Sequence, residues 1–201
     1  WKKQSFSKGW RYGEGEALAV AKPGTLVEIW KILQICVEFD VIVIMQAANT
    51  GLTGGSTPYG NDYDRPILII NTMRINGIHA INDGRQIIGL SGSTLFGLEN
   101  LLAPYEREPH SVIGSSCIGA SIVGGICNNS GGALVKRGPA YTELSVYAQI
   151  EENGELSLIN DIGIELGSDP EEILQNLQKG RFSETQVSSP DKLASDNEYT
   201  E

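Results

Sequence analysis

The chain has 201 residues, a formal net charge of −10 and 24 glycines. This length suits one ordinary domain or two small lobes, and an apolar fraction of 40% is enough for a buried core. The acidic balance argues against nucleic acid or an anionic lipid surface as a partner of this chain. The glycines exceed the usual share of about 7% and gather in residues 51–60 and 114–132, so we expect them to have positional roles.

The first third of the chain alternates predicted strands with a helix and a loop. Residues 16–21 are predicted to form a short strand, and a capping box then precedes an amphipathic helix over 26–38. Residues 41–46 and 67–71 are apolar runs rich in β-branched residues, which is typical of buried strands. This order predicts a sheet with a helix packed on it.

Residues 75–91 are predicted to form a hairpin. Its turn is placed at Asp83-Gly84, because a tight hairpin turn needs residues that tolerate positive φ. Residues 93–102 then predict a short helix that Pro104 ends.

Two further elements are predicted toward the carboxyl end. Residues 142–150 and 155–160 are expected to pair as a second hairpin. Asp169 is expected to cap a last helix that begins at Pro170. Taken together, the elements predict an α+β fold.

We expect residues 1–182 to form one domain of two lobes, with the boundary near residues 72–76. Residues 183–201 carry five acidic side chains and one basic side chain and almost no large apolar ones. They are therefore predicted to be a flexible acidic tail or a link to a further domain. Because the chain starts at Trp1, its natural amino terminus is expected to be absent.

The cysteines and histidines do not predict a metal site. Cys36, Cys117 and Cys127 lack CxxC spacing, and they are predicted to be free buried thiols in a reducing, cytoplasmic compartment. His79 and His110 lie too far apart in sequence to suggest shared metal ligation.

A glycine-rich loop, AANTGLTGGSTP over residues 47–58, directly follows the second predicted strand. Its glycines permit positive φ and remove Cβ atoms, so that successive backbone N–H groups can converge on one anion. No lysine or arginine lies between 32 and 64, so neutral side chains and amide dipoles would hold that anion. The loop matches neither the Walker nor the Rossmann fingerprint, and alone it favours a structural turn over a binding site.

A second glycine-rich segment, GSSCIGASIVGG over 114–125, is followed by NNSGG over 128–132. Small residues stand at nearly every position, which favours backbone that lies against an extended ligand. Two such segments together indicate a dinucleotide held between them, with its pyrophosphate on one or both.

The start ALAVAKPGTLVEIWKIL and the segments NTGLTGGS and IGASIVGGICNNSGG resemble the FAD-binding domain of the vanillyl-alcohol oxidase and p-cresol methylhydroxylase type. Within that type, AANTGLTGGSTPYGNDYDRPILIINTMR and EREPHSVIGSSCIGASIVGGICNNSGGALVKRGPAYTE resemble the quinone-dependent D-lactate dehydrogenases. The resemblance extends over roughly residues 10–180 and is specific in both glycine-rich segments.

The resemblance implies that the first loop binds the FAD pyrophosphate and that the second segment lines the rest of the cofactor. No His or Cys stands in the first loop, so noncovalent FAD is implied. The implied cofactor contacts are Ala47, Ala48, Asn49, Thr50, Gly51, Gly55, Ser56, Gly114, Ser121 and Gly131.

The resemblance also implies a D-lactate:quinone oxidoreductase. Such an enzyme oxidises D-lactate to pyruvate by hydride transfer to the flavin and passes electrons to membrane quinone. It would lie peripherally on the cytoplasmic side of the cell membrane, held there by parts outside this chain. The cap domain that supplies the catalytic base has no counterpart here, so the catalytic residues stay unknown and the chain is expected to be an amino-terminal fragment. A dehydrogenase for another 2-hydroxy acid and a non-enzymatic flavin- or nucleotide-binding module are the alternatives.

A few other polar residues are candidates for lesser roles. His110 is expected to be a structural or cofactor-adjacent hydrogen-bonding residue. Lys136 and Arg137 are expected to be solvated, with a phosphate or carboxylate contact as the alternative. Arg65 and Arg74, which flank the strand 67–71, are expected to make surface contacts.

Overall fold

The computed structural model describes residues 5–109, 118–130, 142 and 144–183. Within these ranges the chain forms a three-stranded sheet, two hairpins and four α-helices. None of these helices is long and apolar enough to cross a bilayer. The elements, in chain order, are β1 (Ala19–Ala21), α1 (Leu26–Glu38), β2 (Ile42–Gln46), β3 (Ile67–Asn71), β4 (Ile78–Ile81), β5 (Gln86–Gly89), α2 (Leu95–Leu102), a 3-10 helix (Ala103–Tyr105), α3 (Ile122–Cys127), β6 (Val146–Ile150), β7 (Leu156–Asn160) and α4 (Pro170–Lys179).

The three-stranded sheet is parallel and has the order β1-β3-β2. Its middle strand β3 therefore has a hydrogen-bonded neighbour on each side, and Ile69 and Ile70 at its centre are fully buried. A strand covered on both faces needs a continuous apolar run rather than an alternating one, which is what the letters ILII provide. The predicted strands 41–46 and 67–71 are thus confirmed within one residue.

Helix α1 begins at the predicted capping box. The backbone N–H of Glu28 donates to the Thr25 hydroxyl over 3.1 Å, and the Thr25 N–H donates back to the Glu28 carboxylate over 3.2 Å. The helix buries Ile29 and Trp30. Helix α4 packs beside it, and the Leu26 N–H donates to the side-chain oxygen of Gln178 over 2.7 Å. Helix α4 therefore helps to hold the amino-terminal end of α1 in place.

The largest hydrophobic cluster takes residues from both sides of the predicted lobe boundary near 72–76. Ile29 and Ile70 come from the first part of the chain, and Ile81, Ile88 and Leu166 come from the second. The two parts of the chain thus share one packed core, and their division into lobes stays a prediction.

The two hairpins differ in how well the sequence placed them. In β4-β5 the turn residues Asn82, Asp83 and Gly84 have φ values of 52°, 52° and 70°, so the predicted turn is confirmed with one more left-handed residue. In β6-β7 the predicted first strand began at 142, which is wrong by four residues because the paired strand begins at Val146.

Helices α2 and α3 show where sequence patterns are weakest. Helix α2 begins at Leu95 after its cap Thr94, and Pro104 lies in the short 3-10 helix that continues it. Helix α3 was not predicted, since Gly124 and Gly125 lower its intrinsic helix propensity. A side-chain cap at Ser121 starts this helix.

The cap of α4 gives a first testable expectation. The Asp169 carboxylate accepts the backbone N–H groups of Glu171 and Glu172, each over 3.1 Å. Asp169→Ala leaves these two donors without their cap and should lower the free energy of unfolding by about 1 kcal/mol. Asp169→Asn keeps an oxygen acceptor and should lose much less. Urea unfolding of the three proteins decides the matter, and equal stability of the Ala and Asn variants would contradict this role of the cap.

Candidate functional site

A cavity of about 910 Å³ opens at the carboxyl end of the parallel sheet. Lys22 directly follows β1, Gln46 ends β2 and Asn71 ends β3, and all three line this cavity. Open parallel sheets bind ligands at this end, because the loops that leave the strands converge there. The other lining residues are Ser5, Phe6, Lys8, Gly9, Trp10, Glu14, Ala47, Ala48, Asn49, Met73, Ile118 and Gly119.

The structure brings only part of the predicted contact set to this cavity. Ala47, Ala48 and Asn49 line it, whereas Thr50, Gly51, Gly55 and Ser56 belong to the same loop but lie outside the wall.

The second segment reaches the cavity through Ile118 and Gly119 rather than through Ser121. Ser121 is buried and uses its hydroxyl to accept the Gly124 N–H over 3.2 Å. Gly114 and Gly131 lie outside the described residues.

The backbone N–H groups of the loop are open. No N–H of residues 47–56 donates a hydrogen bond to another described residue. The segment contains no proline, so every position carries a donor. Backbone N–H groups are strong donors that find an acceptor in nearly every protein, either within the chain, in water or in a ligand. A run of such donors beside a cavity is well suited to an anion.

The glycines of the loop separate into two kinds. Gly54 has φ +79°, and a Cβ there would lie 3.2 Å from the backbone of Tyr12, so the fold itself requires glycine. Gly51 and Gly55 have no positive φ, and a Cβ at either position would meet no atom within 4 Å. Nothing in the described chain therefore requires glycine at these two positions, whereas a ligand lying against the backbone would.

Three polar side chains of the loop bind the protein. The Asn49 amide donates to the Lys8 carbonyl over 2.8 Å, and the Ser56 hydroxyl donates to the Asn49 side-chain oxygen over 2.8 Å. The Thr57 hydroxyl donates to the Gly54 carbonyl over 3.4 Å. These contacts fix the shape of the loop and leave its backbone amides open.

Residues 5–15, here called the arm, form a wall that the sequence did not predict. The Gly60 N–H donates to the Glu14 carbonyl over 2.9 Å, and Gly15 forms a β-bridge with Gly60. A Cβ at Gly13 would collide with the Thr57 hydroxyl. These contacts join segments about 45 positions apart, so no local pattern could reveal them.

Two lysines change the expected electrostatics of the site. Lys8 and Lys22 both line the cavity, although the loop itself has no basic residue. The Lys8 ammonium lies 3.1 Å from the Glu14 carboxylate. The Lys22 ammonium lies 5.2 Å from the centre of the Phe6 ring, and the Lys22 carbonyl accepts a 2.7 Å hydrogen bond from Arg74. Glu14 also lines the cavity and offsets the charge of Lys8, so an anion there would meet the charge of Lys22 as well as amide dipoles.

The remaining candidates lie elsewhere in the fold. Cys36 is a free, buried thiol, and its burial raises the pKa above the ordinary value. His79 packs edge-to-face against Phe182 at 5.6 Å. Arg65 makes the expected surface contacts, including one to Asp40 at 2.7 Å.

Within the described ranges no group of three or more His, Cys, Asp or Glu is placed to hold a metal ion. Cys127 is free as predicted, but it is exposed, so its predicted burial is wrong. Cys117, His110, Lys136 and Arg137 lie outside the described residues.

Comparison with known proteins shows the family of this chain. A family model described as a FAD binding domain matches residues 17–156. The chain belongs to this family of FAD-binding domains. The match begins just before β1 and includes both glycine-rich segments.

The relatives of this FAD-binding domain include two curated bacterial proteins. The quinone-dependent D-lactate dehydrogenase of Haemophilus influenzae is 67% identical over 90% of this chain and 32% of its own length. That of Escherichia coli K12 is 55% identical over 96% of this chain and 34% of its own length. The chain thus spans about a third of the length of these relatives.

Solved structures support the fold assignment. An alkyldihydroxyacetonephosphate synthase superposes with a TM-score of 0.55 at 14% identity, over 82% of this chain and 28% of its own. The predicted combination of helices and sheets in a FAD-binding domain of the p-cresol methylhydroxylase type is confirmed.

Proposed function

We propose that this chain binds FAD with the pyrophosphate on the backbone amides of the first glycine-rich loop. The observation that carries the proposal is the run of N–H groups over 47–56 that donate to no described residue, beside a cavity with two lysines. Gly51 and Gly55 support it, because close approach of a ligand explains the missing Cβ atoms. The proposed contacts remain Ala47, Ala48, Asn49, Thr50, Gly51, Gly55, Ser56, Gly114, Ser121 and Gly131.

The flavin is proposed to be held noncovalently. No His, Cys or Tyr occurs among the described residues that line the cavity. Acid precipitation of the purified yellow protein should therefore leave all flavin in the supernatant. Yellow colour that stays with the precipitated chain would overturn noncovalent binding while leaving FAD as the cofactor.

We further propose that the chain is the FAD-binding part of a D-lactate:quinone oxidoreductase. Support comes from the 67% and 55% identity to proteins named quinone-dependent D-lactate dehydrogenase. When FAD is bound, it supplies the redox chemistry between D-lactate, oxidised to pyruvate, and a membrane quinone. The residues described here bind and orient that cofactor. The proposed location is the cytoplasmic side of the cell membrane, where the quinone is accessible.

The proposed domain organisation follows from this assignment. Residues 1–182 would form the cofactor domain, with its two lobes divided near 72–76, and 183–201 would lead to a substrate-binding domain. The relatives are about three times as long as this chain, which leaves room for such a domain. Its residues would supply the catalytic base.

The enzyme proposal is tested by anaerobic reduction of the flavin in the protein of natural length. D-lactate should bleach the flavin absorption, L-lactate should not, and added quinone should restore the colour. Bleaching by a different 2-hydroxy acid but not by D-lactate would favour a related dehydrogenase. A flavin that no 2-hydroxy acid reduces would favour a binding module without enzymatic activity.

Lys22 gives a prediction about the cation in the cavity wall. Lys22→Gln removes one charge beside the proposed pyrophosphate, and we expect the dissociation constant of FAD to rise about tenfold, or about 1.4 kcal/mol. Lys31→Gln is the control, because Lys31 lies on α1 and pairs with Glu171 at 3.3 Å. Fluorescence titration of FAD at two salt concentrations measures both. Equal affinities for FAD in the two variants would show that Lys22 does not contribute to FAD binding.

A further inference from the structure

Two buried amide side chains stand where the first glycine-rich loop leaves the sheet. Gln46 is 2% exposed and Asn71 is 4% exposed. They are paired, since the Asn71 amide nitrogen donates to the Gln46 side-chain oxygen over 3.1 Å. Burying an amide side chain costs free energy unless its polar atoms form hydrogen bonds, whereas an aliphatic side chain of similar size fills the same space without that cost. Packing alone therefore does not explain why amides occupy these positions.

The pair binds both ends of the loop and the arm. The Gln46 amide nitrogen donates to the carbonyls of Ser56 and Phe6, each over 2.8 Å. The Asn71 amide nitrogen donates to the carbonyl of Ala47 over 3.0 Å. One connected set of hydrogen bonds thus holds Ala47 and Ser56, near the two ends of the loop, against the arm.

The Asn71 bond and one main-chain bond fix the direction of the loop's first two amides. In a planar trans peptide the C=O of one residue and the N–H of the next point in opposite directions. The Gln46 carbonyl is bound by the Thr72 N–H over 2.8 Å, and the Ala47 carbonyl is bound by Asn71. The N–H groups of Ala47 and Ala48 must therefore point away from these partners, and both residues line the cavity.

We propose that Gln46 and Asn71 are positioning residues for the cofactor pyrophosphate. Asn71 directs the Ala48 N–H to the ligand by holding the Ala47 carbonyl. Gln46 holds the far end of the loop through the Ser56 carbonyl, so that the loop keeps its shape before the ligand binds. Preorganised donors bind more tightly, since no ordering is required when the ligand arrives. This inference rests on the proposed FAD function and adds to it the two side chains that set the loop.

The test uses the protein of natural length, its apo form and two ligands. FAD and ADP share a pyrophosphate, so a loss at the loop should weaken both by the same factor. Gln46→Met removes the donor to two carbonyls without adding a charge, and Asn71→Leu removes the donor to Ala47. We expect each change to raise both dissociation constants at least tenfold at a temperature well below the melting point of the apoprotein. Ile75→Val, a buried change outside the loop, should lower the melting point and leave both constants unchanged.

Conservative variants separate positioning from general stability. Gln46→Asn keeps an amide donor that Gln46→Met lacks, so it should bind FAD and ADP more tightly than Gln46→Met does. Asn71→Gln should likewise bind both ligands more tightly than Asn71→Leu does. Variants that melt earlier but bind FAD and ADP as the wild type does would overturn the inference alone. A wild-type protein that binds neither ligand would overturn the proposed function and this inference with it.

Discussion

Ala48→Asp should raise the dissociation constant of FAD by about 100-fold. Ala48 lines the cavity at the start of the loop, and its N–H donates to no described residue. Two unit negative charges about 6 Å apart repel each other by about 3 kcal/mol at an effective dielectric constant near 20, so a carboxylate beside the proposed pyrophosphate should weaken binding strongly. Fluorescence titration of FAD into the apoprotein measures the loss.

Ala48→Asn is the matched control for this change. It has nearly the same size and no charge, so it should weaken binding far less than the carboxylate does. The difference between the two variants should shrink as salt is added, because salt screens charges that solvent reaches. Equal losses in both variants would show that size rather than charge matters at this position, and would contradict a bound anion there.

Gly92→Ala should lower the free energy of unfolding of the apoprotein by about 3 kcal/mol. A Cβ at Gly92 would collide with the Thr72 carbonyl and lie 2.8 Å from the Met73 Cα. These are backbone atoms that cannot rotate away. The Gly92 N–H also donates to the Ile75 carbonyl over 2.8 Å, which holds the two segments together.

Gly125→Ala is the control for Gly92→Ala, because it adds the same methyl group where no backbone lies close. A Cβ there meets no atom within 4 Å, and the residue lies within helix α3. Alanine is favoured over glycine in a helix by up to about 1 kcal/mol, so this variant should be slightly more stable without FAD. Urea unfolding of both variants provides the comparison. A Gly92→Ala protein as stable as the wild type would contradict the close contact between the backbone at Gly92 and the backbone of Thr72 and Met73.

The sequence could predict those elements whose signals are local. The capping box of α1, the cap at Asp169 and the turn at Asp83-Gly84 each depend on residues within four positions of one another. The apolar run of β3 also correctly predicted that this strand is buried. Helix α3 could not be predicted, since its adjacent glycines mask the helical pattern and the Ser121 cap is a single-residue signal.

The site was predictable only where the backbone itself carries the signal. The two glycine-rich segments together indicated a dinucleotide site, and the structure adds that the N–H groups of the first loop are open. Lys8, Lys22 and Asn71 were missed because tertiary contacts bring them to the cavity. Their positions at the carboxyl ends of predicted strands were the available signal for Lys22 and Asn71. The arm carried no such signal, because its contacts depend on single glycines that form no recognisable sequence pattern.

The most direct test of the central claim is amide hydrogen exchange with and without FAD. Backbone N–H groups that lack a protein acceptor exchange quickly, and a bound pyrophosphate should slow them. The account predicts fast exchange over residues 47–56 in the apoprotein and strong protection of that segment by FAD and by ADP. Protection by FAD elsewhere in the chain, with residues 47–56 still exchanging quickly, would contradict it.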